Sequence, residues 1–274
     1  MNGEQKWKAM KKTVVLVAAI ALLAPPALAQ DESGDLAMQL ANPIASLRTL
    51  PIQLNYDGRI GQNEDGSVWR MNIQPVIPFS LNEDWHLISR TIMPILYQQD
   101  IPARGNDEFG IGDILQSSFF SPDKPTKNGW ILGAGPVMLF PTASDDSLGM
   151  GQWGLGPTAV ALKQEGPWTV GGLGNHLWSV GGWGDRGDVN LTYFEPWVSY
   201  TTKANTTISL SAETNYDWDS EDWSVPLLFT LEKLLQVGEQ NVQIGGAVKY
   251  WAESPTGGPE GLGFRLQMRL LFPK

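Results

Sequence analysis

Charged and amide side chains alternate with large apolar ones in the last stretch of the chain, GFRLQMRLLFPK. Here Arg265, Gln267 and Arg269 are separated by Leu266 and Met268. Successive side chains of a β-strand point to opposite faces, so this spacing predicts a strand with one polar and one apolar face. The chemistry available to the polar face is either a ladder of ion pairs or a lining that tunes the passage of a solute.

The same alternation along earlier stretches predicts a larger polar set, in which four arginines and one lysine accompany two carboxylates. Its members are Arg70, Asn72, Gln74, Arg90, Glu213, Asn215, Asp217, Lys249, Arg265, Gln267 and Arg269. The pattern breaks at GIGD and at Glu195-Pro196, so the sequence leaves the facing of Asp113 and Glu195 open.

Residues for metal or covalent chemistry are sparse. The two histidines, His86 and His176, are too few and too isolated for a metal site. His176 and Ser179 are three residues apart and fall on opposite faces of a strand, which argues against a lipase triad. We therefore predict no enzyme activity, no metal site and no cofactor. The acidic stretches DSEDW and SDD carry oxygen ligands for divalent cations, but solvated loop acids are the favoured interpretation.

Strands that would position the polar set occupy the chain from Pro51 onward, where the apolar period changes to two. Five stretches alternate clearly and seven less regular ones fill the gaps, which predicts twelve strands. Long acidic connections alternate with short connections of nearly balanced charge. This alternation predicts antiparallel strands that run up and down between two different sides.

A transmembrane barrel explains these strands better than a soluble sandwich does. Their length of about 9 to 14 residues suits a bilayer, whereas soluble strands average about 5 to 6. Tryptophans near the strand ends are typical of an interfacial girdle. They are Trp69, Trp85, Trp130, Trp153, Trp168, Trp218, Trp223 and Trp251. The predicted fold is an all-β transmembrane antiparallel up-and-down β-barrel of twelve strands, with a short N-terminal helical segment.

The cost of burying charge in lipid assigns the two faces of the closing strand. An arginine facing lipid near the midplane costs about 2 to 4 kcal/mol. Arg265 and Arg269 are therefore expected to face the lumen, and Leu266 and Leu270 the lipid. Because an unpaired strand edge cannot persist in hydrocarbon, the last strand is expected to pair with the first.

The chain before the barrel divides into two predicted segments. A lysine-rich start, an apolar run and a small-residue cleavage site predict a signal peptide over residues 1–29. Residues 30–49 have helical spacing interrupted by Pro43, and we expect them in the periplasm or inserted in the lumen. The barrel is expected over residues 50–274. The absence of cysteine argues against a lipid-anchored lipoprotein and against disulfides.

The acidic balance of the chain limits its partners. The net charge is −10, and removal of residues 1–29 leaves 15 basic and 28 acidic side chains. This excess argues against a nucleic-acid partner, which would require a basic surface. The expected partners are outer-membrane lipids and lipopolysaccharide, the outer-membrane assembly machinery and a small-molecule solute.

Several blocks of the sequence carry a family resemblance, above all IQPVIPFSL and GAGPVMLFPTA. Together with NPIASL, FGIGDILQSSFFSP and GGLGNHLWSVGG, they resemble the outer-membrane family named after the MetA pathway of phenol degradation, whose members are labelled as transporters. The resemblance covers nearly the whole chain after the predicted signal peptide. It implies a barrel that serves the uptake of small organic or aromatic compounds, and it implies no particular functional residues.

These observations predict an outer-membrane channel or facilitator for passive uptake of a small organic solute, with both chain termini in the periplasm. The nearly balanced charge of the predicted lumen argues against strong ion selectivity. The alternative is a non-conducting barrel that stabilises the envelope or presents its acidic loops to a partner.

Overall fold

One α-helix, one short 3₁₀ helix (Asp146–Leu148) and fifteen β-strands are found in the residues that this computed structural model describes, which are 30–182 and 186–272. The α-helix is α1 (Gln30–Leu40). The strands are β1 (Arg48–Ile60), β2 (Gly66–Ile73), β3 (Val76–Ser80), β4 (Trp85–Gln99), β5 (Glu108–Ile111), β6 (Ile114–Pro122), β7 (Trp130–Phe140), β8 (Gln152–Glu165), β9 (Trp168–Gly182), β10 (Asn190–Thr201), β11 (Thr206–Ala212), β12 (Thr214–Asp217), β13 (Asp222–Val237), β14 (Gln240–Glu253) and β15 (Gly261–Phe272). None of the helices in these residues has the length and apolarity that a membrane crossing requires.

The strands form one closed antiparallel barrel. β15 pairs with β1, and β9 pairs with β10, so the ring has no free edge. Three pairs of consecutive strands, β2 with β3, β5 with β6 and β11 with β12, each cross the barrel once, which reduces the fifteen strands to twelve crossings. The predicted fold class and strand number are confirmed. The predicted signal peptide, residues 1–29, lies outside the described residues.

Prolines account for the three interrupted crossings, because proline cannot donate a hydrogen bond to a neighbouring strand. Pro75 lies in the break between β2 and β3. Gly112, between β5 and β6, faces Pro94 and donates its N–H to that residue's carbonyl. Glu213, between β11 and β12, does the same towards Pro226. The breaks at Gly112 and Glu213 therefore each lie opposite a proline of the neighbouring strand.

The two faces of the barrel follow the alternation of the sequence. In the β1–β15 pair, Asn55 lies opposite Arg265, and Leu54 lies opposite Leu266. Arg265 is only 8% exposed and lines the interior, whereas Leu266 is 37% exposed on the outer surface. Polar residues thus pair with polar residues inside, and apolar residues with apolar residues outside.

The position of β15 in the membrane can be tested by making the same substitution at two outward-facing residues that lie at different depths. Leu266→Arg, near the middle of the strand, is expected to lower the free energy of unfolding in lipid vesicles by about 2 to 4 kcal/mol. The matched control Leu262→Arg, on the same face near the strand end, is expected to cost about 0 to 1 kcal/mol. Equal losses in a urea titration of the two variants would contradict the assigned membrane position.

The barrel has two different ends. We call the end that carries the β1–β2, β4–β5 and β7–β8 connections the long-loop end, and the opposite end the short-turn end. Exposed tryptophans form a belt near each end. Trp153, Trp178, Trp218 and Trp223 lie towards the long-loop end, and Trp85, Trp130 and Trp168 towards the short-turn end. Trp251 was predicted in a girdle, but it lines the interior instead.

Residues 30–47, which we call the N-terminal segment, lie inside the barrel at its short-turn end. Ala37 and Leu40 are buried against Leu234 and Leu271, which point inward from β13 and β15. Ile44 is buried in a cluster of inward side chains from β4, β6, β8 and β9. The segment therefore reaches across the lumen and packs against opposite walls.

Candidate functional site

A cavity of about 500 Å³ occupies the lumen beyond the N-terminal segment. Residues Gln39 to Ala45 contribute its floor, and strands from around the barrel contribute its walls. The charged residues of the lining are five basic and four acidic. The lumen is therefore slightly positive in a chain where acidic residues outnumber basic ones, 29 to 19.

Ten of the eleven residues predicted from alternation line this cavity: Arg70, Asn72, Gln74, Arg90, Glu213, Asn215, Lys249, Arg265, Gln267 and Arg269. The exception is Asp217 at the end of β12, whose carboxylate accepts hydrogen bonds from the N–H groups of Asp219 and Ser220. A carboxylate that caps a turn in this way follows local turn geometry rather than strand alternation.

Three carboxylates of the lining were missing from the predicted set: Asp57, Glu195 and Glu232. The first could have been found, because Asp57 continues the polar series Gln53 and Asn55 of β1. The structure assigns Glu195 to the lumen, where the Tyr193 hydroxyl donates to its Oε2 at 2.8 Å. Asp113 lies elsewhere, bracing the 141–151 loop by accepting hydrogen bonds from backbone N–H groups.

The strongest interaction in the lumen joins Arg265 and Glu213. Two parallel hydrogen bonds connect the guanidinium and the carboxylate, at 2.7 and 2.8 Å. The Nε of Arg265 also donates to Asn55 Oδ1 at 2.7 Å. A bidentate pair of this kind fixes both side chains in one geometry, so it joins β15 to the break between β11 and β12 across the interior.

A second ion pair lies nearer the long-loop end. Lys249 Nζ donates to both carboxylate oxygens of Asp57, at 2.9 and 3.0 Å. The indole N–H of Trp251 donates to the same carboxylate at 2.9 Å. Both charged side chains are at most 6% exposed, so this pair stabilises the barrel wall and leaves little charge for a solute to contact.

A row of amides leads from β15 to Arg90. Gln53 connects to Gln267, Gln74 donates to Gln53 Oε1 at 2.7 Å, and Arg90 Nη2 donates to Gln74 Oε1 at 2.9 Å. Among the described residues, Arg90 forms no ion pair, and this amide is its only side-chain hydrogen-bond partner. Its remaining guanidinium donors can therefore face the cavity.

The lumen has two unlike walls. Charged and amide side chains dominate on β14, β15, β1 and β2. From β6 to β9 the lining is mainly aliphatic, with Leu115, Leu139, Leu173 and Leu177. A solute in the cavity thus meets hydrogen-bonding groups on one side and an apolar surface on the other.

The outer surface carries one histidine among aromatic residues. His176 Nδ1 lies 2.7 Å from Thr192 Oγ1, which also accepts a hydrogen bond from the Trp218 indole. Ser179 contacts Asp188 instead of His176, in agreement with their predicted separation. His86 lies near the short-turn end, where it contacts Asp123.

The acidic stretch SDD is engaged within its own loop. Asp145 accepts hydrogen bonds from the Ser147 N–H and hydroxyl, and these bonds lower the pKa of its carboxyl group. Asp146 pairs with Arg186, which also donates to two backbone carbonyls of the loop. These contacts stabilise the loop, and the described residues contain no group of three or more histidine or acidic side chains that could hold a metal ion.

Comparison with known proteins places the architecture. No protein-family model and no curated sequence matches the chain. The COG4313 outer membrane channel from Pseudomonas putida F1 is similar in structure, with a TM-score of 0.64, 14% identity and coverage of 82% of this chain and 96% of that one. The NanC porin has a TM-score of 0.51 and 11% identity, with coverage of 82% and 100%. The chain has the fold of outer-membrane β-barrels. The resemblance to the MetA-pathway family stays a prediction.

The same comparison corrects the prediction of no enzyme activity. Outer membrane phospholipase A from Escherichia coli is similar to the chain, with a TM-score of 0.51, 11% identity and coverage of 88% of this chain and 97% of that one. An enzyme therefore shares this barrel fold, so the fold is compatible with catalysis. The prediction of no enzyme activity was wrong to rest on the spacing of His176 and Ser179 alone.

Proposed function

We propose that the chain is an outer-membrane channel or facilitator that admits a small organic solute passively through its lumen. The observation that carries this proposal is the polar-lined cavity of about 500 Å³ inside a closed barrel. Cavities of roughly 300 to 1,000 Å³ hold small organic molecules. The solute would enter at the long-loop end and leave past the N-terminal segment.

The proposed orientation puts the short turns and both chain termini in the periplasm, as in other bacterial barrels. The belts of exposed tryptophan would then contact lipids at the two interfaces, with lipopolysaccharide around the long-loop end. Export would use the predicted signal peptide, residues 1–29, and insertion would use the outer-membrane assembly machinery.

The N-terminal segment closes the path in this proposal. Arg269 Nη1 donates to the Leu40 carbonyl at 2.6 Å, and Gln164 Nε2 donates to the Met38 carbonyl at 2.8 Å. With the buried contacts of Ala37 and Ile44, these hydrogen bonds hold the segment in the lumen. Passage would require the segment to shift, because it forms the floor of the cavity.

Flux through reconstituted protein tests the proposal. We expect liposomes that contain the chain from residue 30 onward to swell slowly in a small organic solute, and liposomes with a variant lacking residues 30–47 to swell at least about tenfold faster. Heat-modified mobility on a gel would verify that both proteins are folded. A folded deletion variant that passes neither solute nor ions would overturn the channel proposal.

The second candidate function is a non-conducting barrel of the envelope. It is favoured by the two buried ion pairs and the internal N-terminal segment, which brace the barrel from inside. In that case, removal of the gene should increase sensitivity to detergents without changing the growth of the strain on any small organic carbon source.

A further inference from the structure

Two charged side chains of the cavity lining, Arg90 and Glu195, form no ion pair with each other among the described residues. Arg90 projects from β4 and Glu195 from β10, and these strands are five steps apart in the ring of twelve crossings. Glu195 interacts electrostatically with Glu213 and, less strongly, with Arg90, and the described residues contain no salt bridge between Arg90 and Glu195. Arg265 and Lys249, in contrast, each contact a carboxylate directly.

Each member of this pair keeps hydrogen-bonding capacity for a ligand. Arg90 donates from Nη2 to Gln74, which leaves other donors of its planar guanidinium available. Glu195 accepts one hydrogen bond at Oε2 from Tyr193, and its carboxylate can accept more. Tyr193 also packs on the core that contains Ile44, so it holds Glu195 above the floor of the cavity.

The part of the lumen wall that lies between Arg90 and Glu195, on β6 to β9, is mainly apolar. Passing from β4 to β10 through β6, β7 and β9, the lining consists mainly of leucine side chains, with Leu115, Leu139 and Leu173 among them. A ligand that spans from Arg90 to Glu195 along this wall must therefore be apolar in its middle. Its end at Arg90 should be an anion, and its end at Glu195 should be a hydrogen-bond donor.

From this arrangement we infer that the lumen holds a binding site for a small organic acid with an apolar body, whose carboxylate binds Arg90 and whose distal hydroxyl donates to Glu195. The inference rests on the proposed function, because it names the solute class of the same lumen. The slightly positive lining supports it, since the acidic surface of the chain would otherwise disfavour an anion. Burial along the leucine wall would add affinity that a purely polar solute lacks.

Binding is measured by calorimetry on the folded chain in detergent, so that the result does not depend on flux. The probe is 4-hydroxybenzoate, and the comparison ligands are benzoate, which lacks the donor, and phenol, which lacks the carboxylate. We expect wild-type protein to bind 4-hydroxybenzoate about tenfold more tightly than either, the effect of one charge-assisted hydrogen bond.

Two variants test which residue binds each end of the ligand. Arg90→Gln should weaken 4-hydroxybenzoate binding about tenfold or more, and the exposed loop variant Arg104→Gln, with the same charge change, should leave it unchanged. In Glu195→Gln, the advantage of 4-hydroxybenzoate over benzoate should shrink below about threefold. Thermal unfolding of each variant would show that the barrel is intact.

The outcomes separate this inference from the channel proposal. Absence of 4-hydroxybenzoate binding to wild-type protein would overturn the inference, while the swelling experiment would still decide whether the barrel conducts. An equal loss in Arg70→Gln and Arg90→Gln would also overturn it, because the general positive potential of the lumen would then explain binding. Binding without swelling in the deletion variant would retain the site and reject the channel.

Discussion

Replacement of Arg265 by leucine is expected to lower the free energy of unfolding by about 3 to 5 kcal/mol, the usual cost of leaving one member of a buried ion pair alone. Glu213 would lose both hydrogen bonds of the bidentate pair, and Asn55 would lose its donor. A leucine that faces a water-filled lumen costs little by itself. The large effect is expected because Arg265 is only 8% exposed and its removal leaves the Glu213 carboxylate without its partner.

Single and double variants distinguish the cost of leaving one buried charge unpaired from the cost of losing the whole ion pair. Glu213→Leu should be destabilising to a similar degree, and the double variant Arg265→Leu with Glu213→Leu should recover most of the loss, because no charge then remains unpaired. Arg70→Leu is the matched control, since Arg70 is an exposed arginine of the same cavity. Urea unfolding in lipid vesicles measures all four variants. A double variant no more stable than the single variants would contradict a direct energetic coupling.

Alternation predicted the faces of the strands well because it depends only on neighbouring residues. Arg265, Gln267 and Arg269 line the cavity as their spacing indicates, and the same rule would have added Asp57. The rule fails where local geometry overrides it. Asp217 binds the backbone of its own turn, and the strand expected to run continuously from residue 68 to 81 is interrupted at Pro75.

Pairings inside the barrel could not be predicted, because they depend on which strands meet across the ring. Arg265 and Glu213 are 52 positions apart, and Lys249 and Asp57 are 192 apart. No local period in the sequence specifies such partners. Trp251 illustrates the consequence: its place near a strand end suggested an interfacial girdle, whereas the nearby Asp57 carboxylate binds its indole N–H inside.

The place of the N-terminal segment was also left open by the sequence. Helical spacing of Leu36, Leu40 and Ile44 indicates an apolar face but does not say which surface covers it. In the structure the inner wall covers this face, since Leu40 lies in one buried cluster with Leu271, and Ile44 lies in another with Phe119. The leucine side of the lumen therefore has a role in holding the segment as well as in forming the cavity.

Replacement of Ile44 by aspartate is expected to open the barrel without removing any residue. Ile44 is 4% exposed among nine buried or half-buried apolar side chains of the wall. A carboxylate at this point would be buried without a partner at a cost of several kcal/mol, which the segment can avoid by leaving the wall. Single-channel recording in planar bilayers should show conductance close to that of the variant lacking residues 30–47.

The matched control is Gln39→Asp, which adds the same charge to an exposed position of the same segment. It should leave the segment in place, because its carboxylate remains solvated, and the conductance should stay far below that of the variant lacking residues 30–47. If Ile44→Asp conducts no better than Gln39→Asp while the deletion variant conducts well, the contacts of Ile44 do not hold the segment. The hydrogen bonds from Arg269 to Leu40 and from Gln164 to Met38 would then be the restraint, since they join the segment to the wall independently of Ile44.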